Sequence, residues 1–501
     1  MKKREIVVVG AGIAGLTSAA ILSKLGFSVT IIESHYQSGG CAGTFKRQKY
    51  IFDVGATQVA GLEVEGIHRK IFDFLEIPVP DASILDPACV VDLNDGSRAI
   101  HIWYEEESWI KERDLQFPGS HKFWQLCAFI HTNNWKFANK NPVMPIRNFW
   151  DLSQLVKALT PLNLLSGFLI KSSMFDLLKL CGCHKDKRLI QFLNLQLKLY
   201  SQEDVYNTAA LYGSTVLQMG QHPRGLFHLK HSMQALSNAL EDSLKKTEAE
   251  IVFGQKVKSI KFDHSNKYWK VSASSNKKIN EYLTKEIVYT LPPQSLLQHL
   301  DEDFEAIKKY KSQIRSLPKP TGALVFYSAI ERKKINQLTA NHYQFSHQEL
   351  GSLFISISNN GDGRAPLGEV TLIASIFTHT NDWIDLDKSS YLKKKEEFFL
   401  KISKAIEIQY AISSDDWLHR ELATPLGFQR WTNRPNGIVG GLGQNPKIFG
   451  LLGIASRTPM KGLWLCGDSI YPGEGTAGVS QSALMVSRQI ASSNGLKNLN
   501  I

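Results

Sequence analysis

The chain has 501 residues, of which 43% are hydrophobic and 21% charged; this excludes one small domain, a disordered chain and a fibrous repeat. Lys and Arg number 58 against 47 Asp and Glu, giving a net charge of +11 and an isoelectric point near 9.1, which favours anionic partners. Six scattered cysteines (Cys41, Cys89, Cys127, Cys181, Cys183 and Cys466) are too irregular for a disulfide framework, so a reducing compartment is expected.

Ile6 to Ser23 carries no charge and superficially matches a signal peptide or a marginal span. Its internal order argues for a strand and a helix instead. Ile6 to Val9 is a compact β-branched run, Gly10, Gly12 and Gly15 follow, an apolar helical segment ends at Gly26, and Val29 to Ile32 reads as a second strand closed by Glu33. This is the dinucleotide fingerprint in its βαβ setting. The glycines admit a pyrophosphate, the helix N-terminus offers free N–H groups to phosphate, and Glu33 stands where a carboxylate accepts from a ribose diol. A carboxylate there repels a 2′-phosphate, which excludes NADP and leaves FAD or NAD. A second glycine-rich turn, Gly39-Gly40-Cys41-Ala42-Gly43, precedes Asp53-Val54-Gly55-Ala56-Thr57.

From Trp150 to Tyr200 the pattern changes. Leu152, Leu155, Val156 and Leu159 share one helical face, Pro161 interrupts it, and the uncharged run Ala158 to Ile170 is too short to cross a bilayer. Lys171 to Lys198 holds six Lys or Arg against two acids, interleaved with Met174, Phe175, Leu177, Leu178 and Leu180. That composition predicts an interfacial helix hairpin on anionic lipid, with Lys185, Lys187 and Arg188 facing the surface. Cys181, Cys183 and His184 lack a second Cys/His pair, so no metal is expected. Helical spacing at Met233, Leu236 and Leu240 leads into strands at Glu250–Phe253, Val257–Ile260, Tyr268–Ser272 and Ile287–Thr290, with the polar stretch Ser274–Asn280 as a hairpin tip. Near the C-terminus a strand ends at Gly467-Asp468, Pro472-Gly473-Glu474-Gly475-Thr476-Ala477-Gly478-Val479 follows, and a helix begins near Ser480. Gly467-Asp468-Ser469 does not start a hydrolase triad, because no His follows His419. No zinc finger, helix-turn-helix or RNP-type motif supports nucleic-acid binding.

The paired glycine turns and the C-terminal Gly-Asp and Pro-Gly-x-Gly segments resemble the flavoprotein superfamily of amine oxidases and carotenoid desaturases. Asp53 to Gly61, Gly361 to Gly368 and Pro472 to Val479 narrow the resemblance to the carotenoid desaturase and isomerase branch, most like the cyanobacterial 3′,4′-desaturases of myxoxanthophyll synthesis. The likeness spans nearly the whole chain and is weakest in its middle third. It implies an α/β fold: a Rossmann-type FAD-binding domain assembled from residues 1–95, 223–310 and 426–501, and an α+β substrate domain from 96–222 and 311–425, the first of these associating with membrane. It also implies FAD contacts from Gly10, Gly12, Ala14, Gly15, Glu33, Gly39, Gly40, Cys41, Thr57, Val257, Gly467, Asp468, Gly478 and Val479. The expected reaction is hydride transfer from an allylic carbon of a carotenoid to flavin N5, followed by proton loss. The electron acceptor is then a quinone or oxygen, and the enzyme sits peripherally on the cytoplasmic side of a membrane. Glu474 is the candidate proton acceptor, a role set against that of an ordinary turn residue; Trp383, Arg430 and Trp431 are cavity candidates. Two alternatives stand beside desaturation. One is cis-trans isomerisation, although prolycopene isomerases tend to carry Cys-Phe-Pro-Gly-Gln-Gly where this chain has Ile470-Tyr471-Pro472-Gly473-Glu474-Gly475. The other is a flavin-free binding protein like the GDP-dissociation inhibitors.

Overall fold

Strand Lys2–Val9, helix Ile13–Lys24 and strand Val29–Ile32 form the βαβ unit in the computed structural model, which describes residues 2–275, 278–300, 305–318 and 321–496. The first strand pairs in parallel with Val29–Ile32 on one side (Val8 opposite Ile31) and with Lys278–Tyr289 on the other (Val8 opposite Val288). Glu250–Val252 extends one edge, and Leu463–Leu465 joins the end of Lys278–Tyr289 in parallel. Lys256–Asp263 and Tyr268–Ser275 add an antiparallel extension, completing a seven-stranded sheet drawn from three distant parts of the chain. Continuous β-branched runs suit such strands because both faces are covered. Ile13 to Ser23 is buried on every side, and small residues let helix Ile13–Lys24 lie closely against helix Thr476–Ser493.

A second seven-stranded sheet runs in the order Trp417–Ala423, Gly322–Glu331, Glu369–Thr378, Gly351–Ile357, His342–His347, Cys89–Asp92, Ile100–Ile102. Helix Lys388–Tyr410 covers one face through Ile402, Ala405 and Ile406, while Ala323, Val325 and Tyr327 on the other pack with Tyr50 and Phe52. Cys89–Asp92 pairs in parallel with His342–His347, so the strands on either side of the expected boundary at residue 95 both enter this second sheet.

Residues 106–216 build a helical lobe around Trp109, Phe117, Trp124, Leu177 and Phe192. Here the expected lipid-facing hairpin is corrected. Met174, Leu177 and Leu178 on helix Met174–Leu180 and Leu189, Phe192 and Leu193 on helix Lys187–Ser201 fill the lobe's own core, and Arg188 is ion-paired with Asp95. With that stripe buried, Leu180 is the exposed large apolar side chain left on these two helices. Exposed apolar side chains gather instead on Phe149–Ala158 and the turns after it: Phe149 is 91% and Phe168 85% exposed, joined by Leu152, Val156 and Leu162. No helix among the described residues is long and apolar enough to cross a membrane.

Most other expected elements appear with shifted ends. The C-terminal helix begins at Thr476, ahead of Ser480, and the hairpin tip is tighter than Ser274–Asn280, with strands reaching Ser275 and resuming at Lys278; residues 276 and 277 lie outside the described residues. Leu226–Leu229 forms a strand that the helical reading of this region did not anticipate.

Candidate active site

A cavity of about 1040 Å³ is walled by the glycine-rich loops, the second sheet and the helical lobe. At one end it lies beyond the carboxyl ends of the parallel strands, where open α/β sheets bind ligands: Gly10 and Gly12 to Ala14, Glu33, Thr290 and Gly467-Asp468 each follow a strand into its wall.

The two glycines of the fingerprint that most constrain the loop do so for different reasons. A Cβ on Gly15 would sit 1.9 Å from the Gly10 carbonyl, so this glycine seats the helix on its strand. Gly12, at φ −70°, is open to any residue conformationally, and a Cβ there would meet no protein atom within 4 Å. It faces the cavity at a helix N-terminus with no side-chain cap, leaving space and free N–H groups for a phosphate. Gly39, at φ +111°, lets the second turn fold against the first, its N–H donating to the Ala11 carbonyl at 2.9 Å. Glu33 is fixed at the strand end by two backbone donors, Ala11 N on Oε2 and His35 N on Oε1, each at 2.7 Å. Elsewhere in the wall Gly475-Thr476-Ala477-Gly478-Val479 opens the 18-residue helix Thr476–Ser493, again without a side-chain cap. A Cβ on Gly478 would come within 2.4 Å of the Gly473 carbonyl, which locks this helix start in place. Two uncapped helix N-termini, a cradle open at Gly12 and a fixed ribose-side acid fit an extended dinucleotide carrying an electron-accepting ring at its far end.

Between these features lies a polar knot. Asp468 is ion-paired with Arg434 at 2.7 Å, and Arg434 also donates to the carbonyls of Ile438, at 3.0 Å, and Gly440. Burial pushes the Cys41 thiol up, although the Arg434 guanidinium opposes the shift. Glu474 accepts from Gln202 Nε2 at 2.6 Å and from Gly441 N at 3.3 Å through Oε2, while its Oε1 is buried without a partner. Desolvation raises its carboxyl to about 8.

Of the residues singled out in the sequence, Gly10, Gly12, Ala14, Glu33, Gly39, Gly40, Cys41, Thr57, Gly467, Asp468, Glu474, Gly478 and Val479 line this one cavity. Gly15 lies behind it. Val257, expected to meet the cofactor through its backbone with its side chain an ordinary core valine, is a core valine of the antiparallel extension and is not among the residues of this wall; Gln255 is the residue whose N–H bonds the Glu33 carbonyl. Trp383 is fully buried between the second sheet and its covering helix, and Arg430 is exposed, so neither lines the wall; Trp431 does, edge-on to His35. Sequence reasoning missed Arg434, Gln202 and the Gly440-Gly441 pair. The dipeptide was the available signal, since a Cβ on Gly440 would lie 2.1 Å from Glu474 Oε2 and one on Gly441 2.1 Å from the Asp468 carbonyl.

Residues 8–76 match the NAD(P)-binding Rossmann-like domain family. The chain is 25% identical to prolycopene isomerase of Arabidopsis thaliana, over 98% of this chain and 83% of that one. It is 22% identical to 4,4′-diapolycopene oxygenase of a Methylomonas species, over 97% and 98%. Putrescine oxidase bound to putrescine superposes with a TM-score of 0.64 at 14% identity, covering 98% of this chain and 99% of that one. The fold is therefore the one seen in putrescine oxidase, and the glycine-lined cavity beyond its strand ends belongs to an FAD-dependent oxidoreductase. Over nearly its whole length the chain is similar to these two sequence relatives, one named for isomerising prolycopene and the other for oxygenating diapolycopene.

Proposed function

We propose that this protein desaturates a carotenoid at the 3′,4′ position, in the manner of myxoxanthophyll-type synthesis, while lying peripherally on a membrane. The observation that carries this reading is the continuity of the cavity: the nucleotide crevice opens into a lobe walled by Leu155, Leu159, Ile170, Leu211, Val216 and Met219, which suits a long apolar chain. FAD, when bound, supplies the two-electron acceptor for a hydride from a carbon beside the polyene. Gly10, Gly12, Ala14, Gly39 and Gly40 would hold its pyrophosphate, Glu33 its ribose and Asp468 its ribityl-phosphate stretch; Thr57, Gly478 and Val479 would face its redox end. The apolar wall orients the substrate and excludes water. Glu474, a residue of the cavity wall, takes the proton from the carbon next to the site of hydride loss: its Oε1 has no partner, and Gln202 and Gly441 hold the other oxygen still.

Membrane contact is assigned to the Phe149–Phe168 surface rather than to residues 171–198. The exposed apolar side chains there alternate with cavity-wall residues Leu155, Leu159 and Ser166, so a lipid-dissolved substrate would enter beside them. In the same stretch of chain Lys136, Lys140, Arg147, Lys157 and Lys171 are exposed, while Asp151 is buried against Arg457; this is the charge balance of an anionic-lipid surface. Electrons would leave to a quinone or oxygen.

A second reading, cis-trans isomerisation, is favoured by the full-length likeness to prolycopene isomerase. Product mass separates the two. A desaturase removes two hydrogens, shifts absorption to longer wavelength, and stops near one turnover anaerobically without an added acceptor. Repeated anaerobic turnover at unchanged substrate mass would establish the isomerase instead.

A further inference from the structure

A second and much smaller cavity lies behind the wall of the large one. It measures about 10 Å³, the space of a single water molecule, and eight of its ten lining residues are polar or charged. A cavity of this size stays dry when its lining is apolar and takes up water when polar groups converge on it. Among the described residues, Thr57 is the one that lines both cavities. Its hydroxyl lies 2.6 Å from Ser356 Oγ and 3.5 Å from His342 Nε2, on residues that face each other across neighbouring strands of the second sheet. His342 is 1% exposed and stacked on Phe354 at 5.4 Å, which holds its ring in place.

Some hydrogen-bonding groups of this small wall are left over by the protein itself. Of the five N–H groups of a guanidinium, Arg364 uses Nε–H and one on Nη2 for Asp53, and both on Nη1 for Asp362 and the Leu229 carbonyl, so the second N–H of Nη2 remains. Thr371 donates its backbone N–H to Ser358 Oγ at 2.9 Å, and its hydroxyl has no hydrogen-bond partner among the described residues. His342 Nδ1 is buried without a partner. Burial, reinforced by the charges of His228 and Arg364, pushes the His342 ring down to about 3, so it is neutral, with one donor and one acceptor nitrogen.

We infer that this cavity binds one water molecule between Arg364, His342 and Thr371, and that the water makes Thr57 a hydrogen-bond donor toward the cofactor. The guanidinium draws the water's oxygen, so the water's protons point away from it, to His342 Nδ1 and the Thr371 hydroxyl. The ring proton then stands on Nε2 and is given to Thr57. Ser356 donates to the same oxygen, both of whose lone pairs are thereby engaged, and the Thr57 proton is left for an acceptor in the large cavity. His342 and Ser356 are positioning residues that act through Thr57, since neither lines the large cavity. The donor role of Thr57 rests on its placement at the redox end of the flavin given above; the water does not.

Two measurements on the FAD-loaded protein test this. A high-resolution crystal structure of the wild type should show one solvent peak within about 3.2 Å of Arg364 Nη2, His342 Nδ1 and the Thr371 hydroxyl. No peak there, or one out of reach of His342, overturns the water and its action on Thr57. The second measurement is FAD affinity together with the visible flavin spectrum. Thr57→Val should weaken FAD binding about three- to tenfold and shift the flavin bands, and Thr57→Ser, which keeps the hydroxyl, should retain wild-type values. His342→Phe keeps the ring and its stacking without the nitrogens, and should weaken binding by about twofold or more. In the Thr57→Val background His342→Phe should have no further effect, because its route to the cofactor is gone. Additive losses in the double variant would make His342 a packing residue and overturn its action through Thr57, with Thr57 still at the flavin. Unchanged affinity and bands in Thr57→Val would overturn the placement of Thr57 and its donor role together. Ser356→Ala, which removes the other donor to Thr57, takes the place of His342→Phe in the same cycle should that variant not fold.

Discussion

Gly12 and Gly15 stand three positions apart in one motif, yet the surroundings of each predict opposite failures. Gly12→Val should fold, because its backbone is in an ordinary region and no protein atom lies within 4 Å of the new Cβ. It should retain no FAD, since the side chain enters the space a pyrophosphate needs. Gly15→Val should fail earlier, its Cβ colliding with the Gly10 carbonyl, and should appear as insoluble or thermally labile protein. Flavin absorbance and melting temperature measured on both variants check the pair. Glu474 makes a pH prediction at the same scale. Its folded carboxyl, raised to about 8 by desolvation, keeps its proton longer than an unfolded glutamate does. The native state therefore binds more protons than the unfolded chain between about pH 4.5 and 8, and this group's contribution to stability is lost as pH rises through that window. Glu474→Gln should flatten the apoprotein's stability between pH 5 and 8 by up to a few kcal/mol, at about 1.4 kcal/mol per pK unit. In the holoenzyme it should lower kcat with little change in KM, and remove the alkaline-side activation that loss of this proton gives wild type. An unchanged pH profile counts against the assigned role.

Among the elements, the βαβ unit, the antiparallel extension and the C-terminal strand and helix were legible because each carries a strong local signal. β-branched runs, glycines at fixed intervals and turn residues all point the same way. The helical lobe was not, and the reason is specific. An amphipathic helix looks alike in sequence whether its apolar face meets lipid or another helix, so Met174, Leu177 and Leu178 could not reveal that they pack with Phe192 and Leu193. Leu152, Leu155 and Val156 on the neighbouring helix show the converse: of the three, Leu155 alone is buried. Arg434 was invisible because its value depends on Asp468, 34 positions away, and no local pattern records such a pair. This difference between two helices yields a prediction. Phe149→Ser with Phe168→Ser should weaken sedimentation with vesicles of phosphatidylcholine and phosphatidylglycerol by about tenfold or more, since two large side chains would no longer enter the interface. Glu in place of Lys185, Lys187 and Arg188 should change binding far less, although loss of the Arg188 contacts to Asp95 and Gln116 should lower the melting temperature. If the charge reversals release the protein and the serine pair does not, the surface has been placed wrongly.

For the whole molecule, the question is what ties the second large sheet to the two small sheets that carry the strands Tyr50–Asp53 and Leu226–Leu229. One answer is a buried ionic hub. Arg364, 2% exposed, donates from Nε and Nη2 to Asp53 at 3.1 Å and from Nη1 to Asp362 at 2.7 Å and the Leu229 carbonyl at 3.0 Å. Asp53 in turn accepts from Met233 N at 2.8 Å, and His228 bonds Asp362 at 2.9 Å. The hub joins the strand Tyr50–Asp53, the strand Leu226–Leu229 and the loop between two strands of the second sheet, so it links segments about 180 and 310 positions apart. Its Coulomb attraction is offset by the desolvation of every member, which is why its presence is weak evidence of net stability; removing one partner is another matter, because it strands the rest. Arg364→Met should destabilise the protein by about 3 to 5 kcal/mol. The sign of its pH dependence follows from Asp53, whose carboxyl burial already pushes up against the pull of Arg364. Without the guanidinium the carboxyl rises further and takes a proton, so the variant's native state is penalised more as pH increases. The loss should therefore be smaller at pH 5 than at pH 8, and Asp53→Asn in the Arg364→Met background should recover part of it at pH 8 by removing the stranded charge. Thermal melts of the two variants and wild type at both pH values decide this. A loss that is equal at both, with no recovery from the second substitution, would mean that Arg364 acts through packing alone.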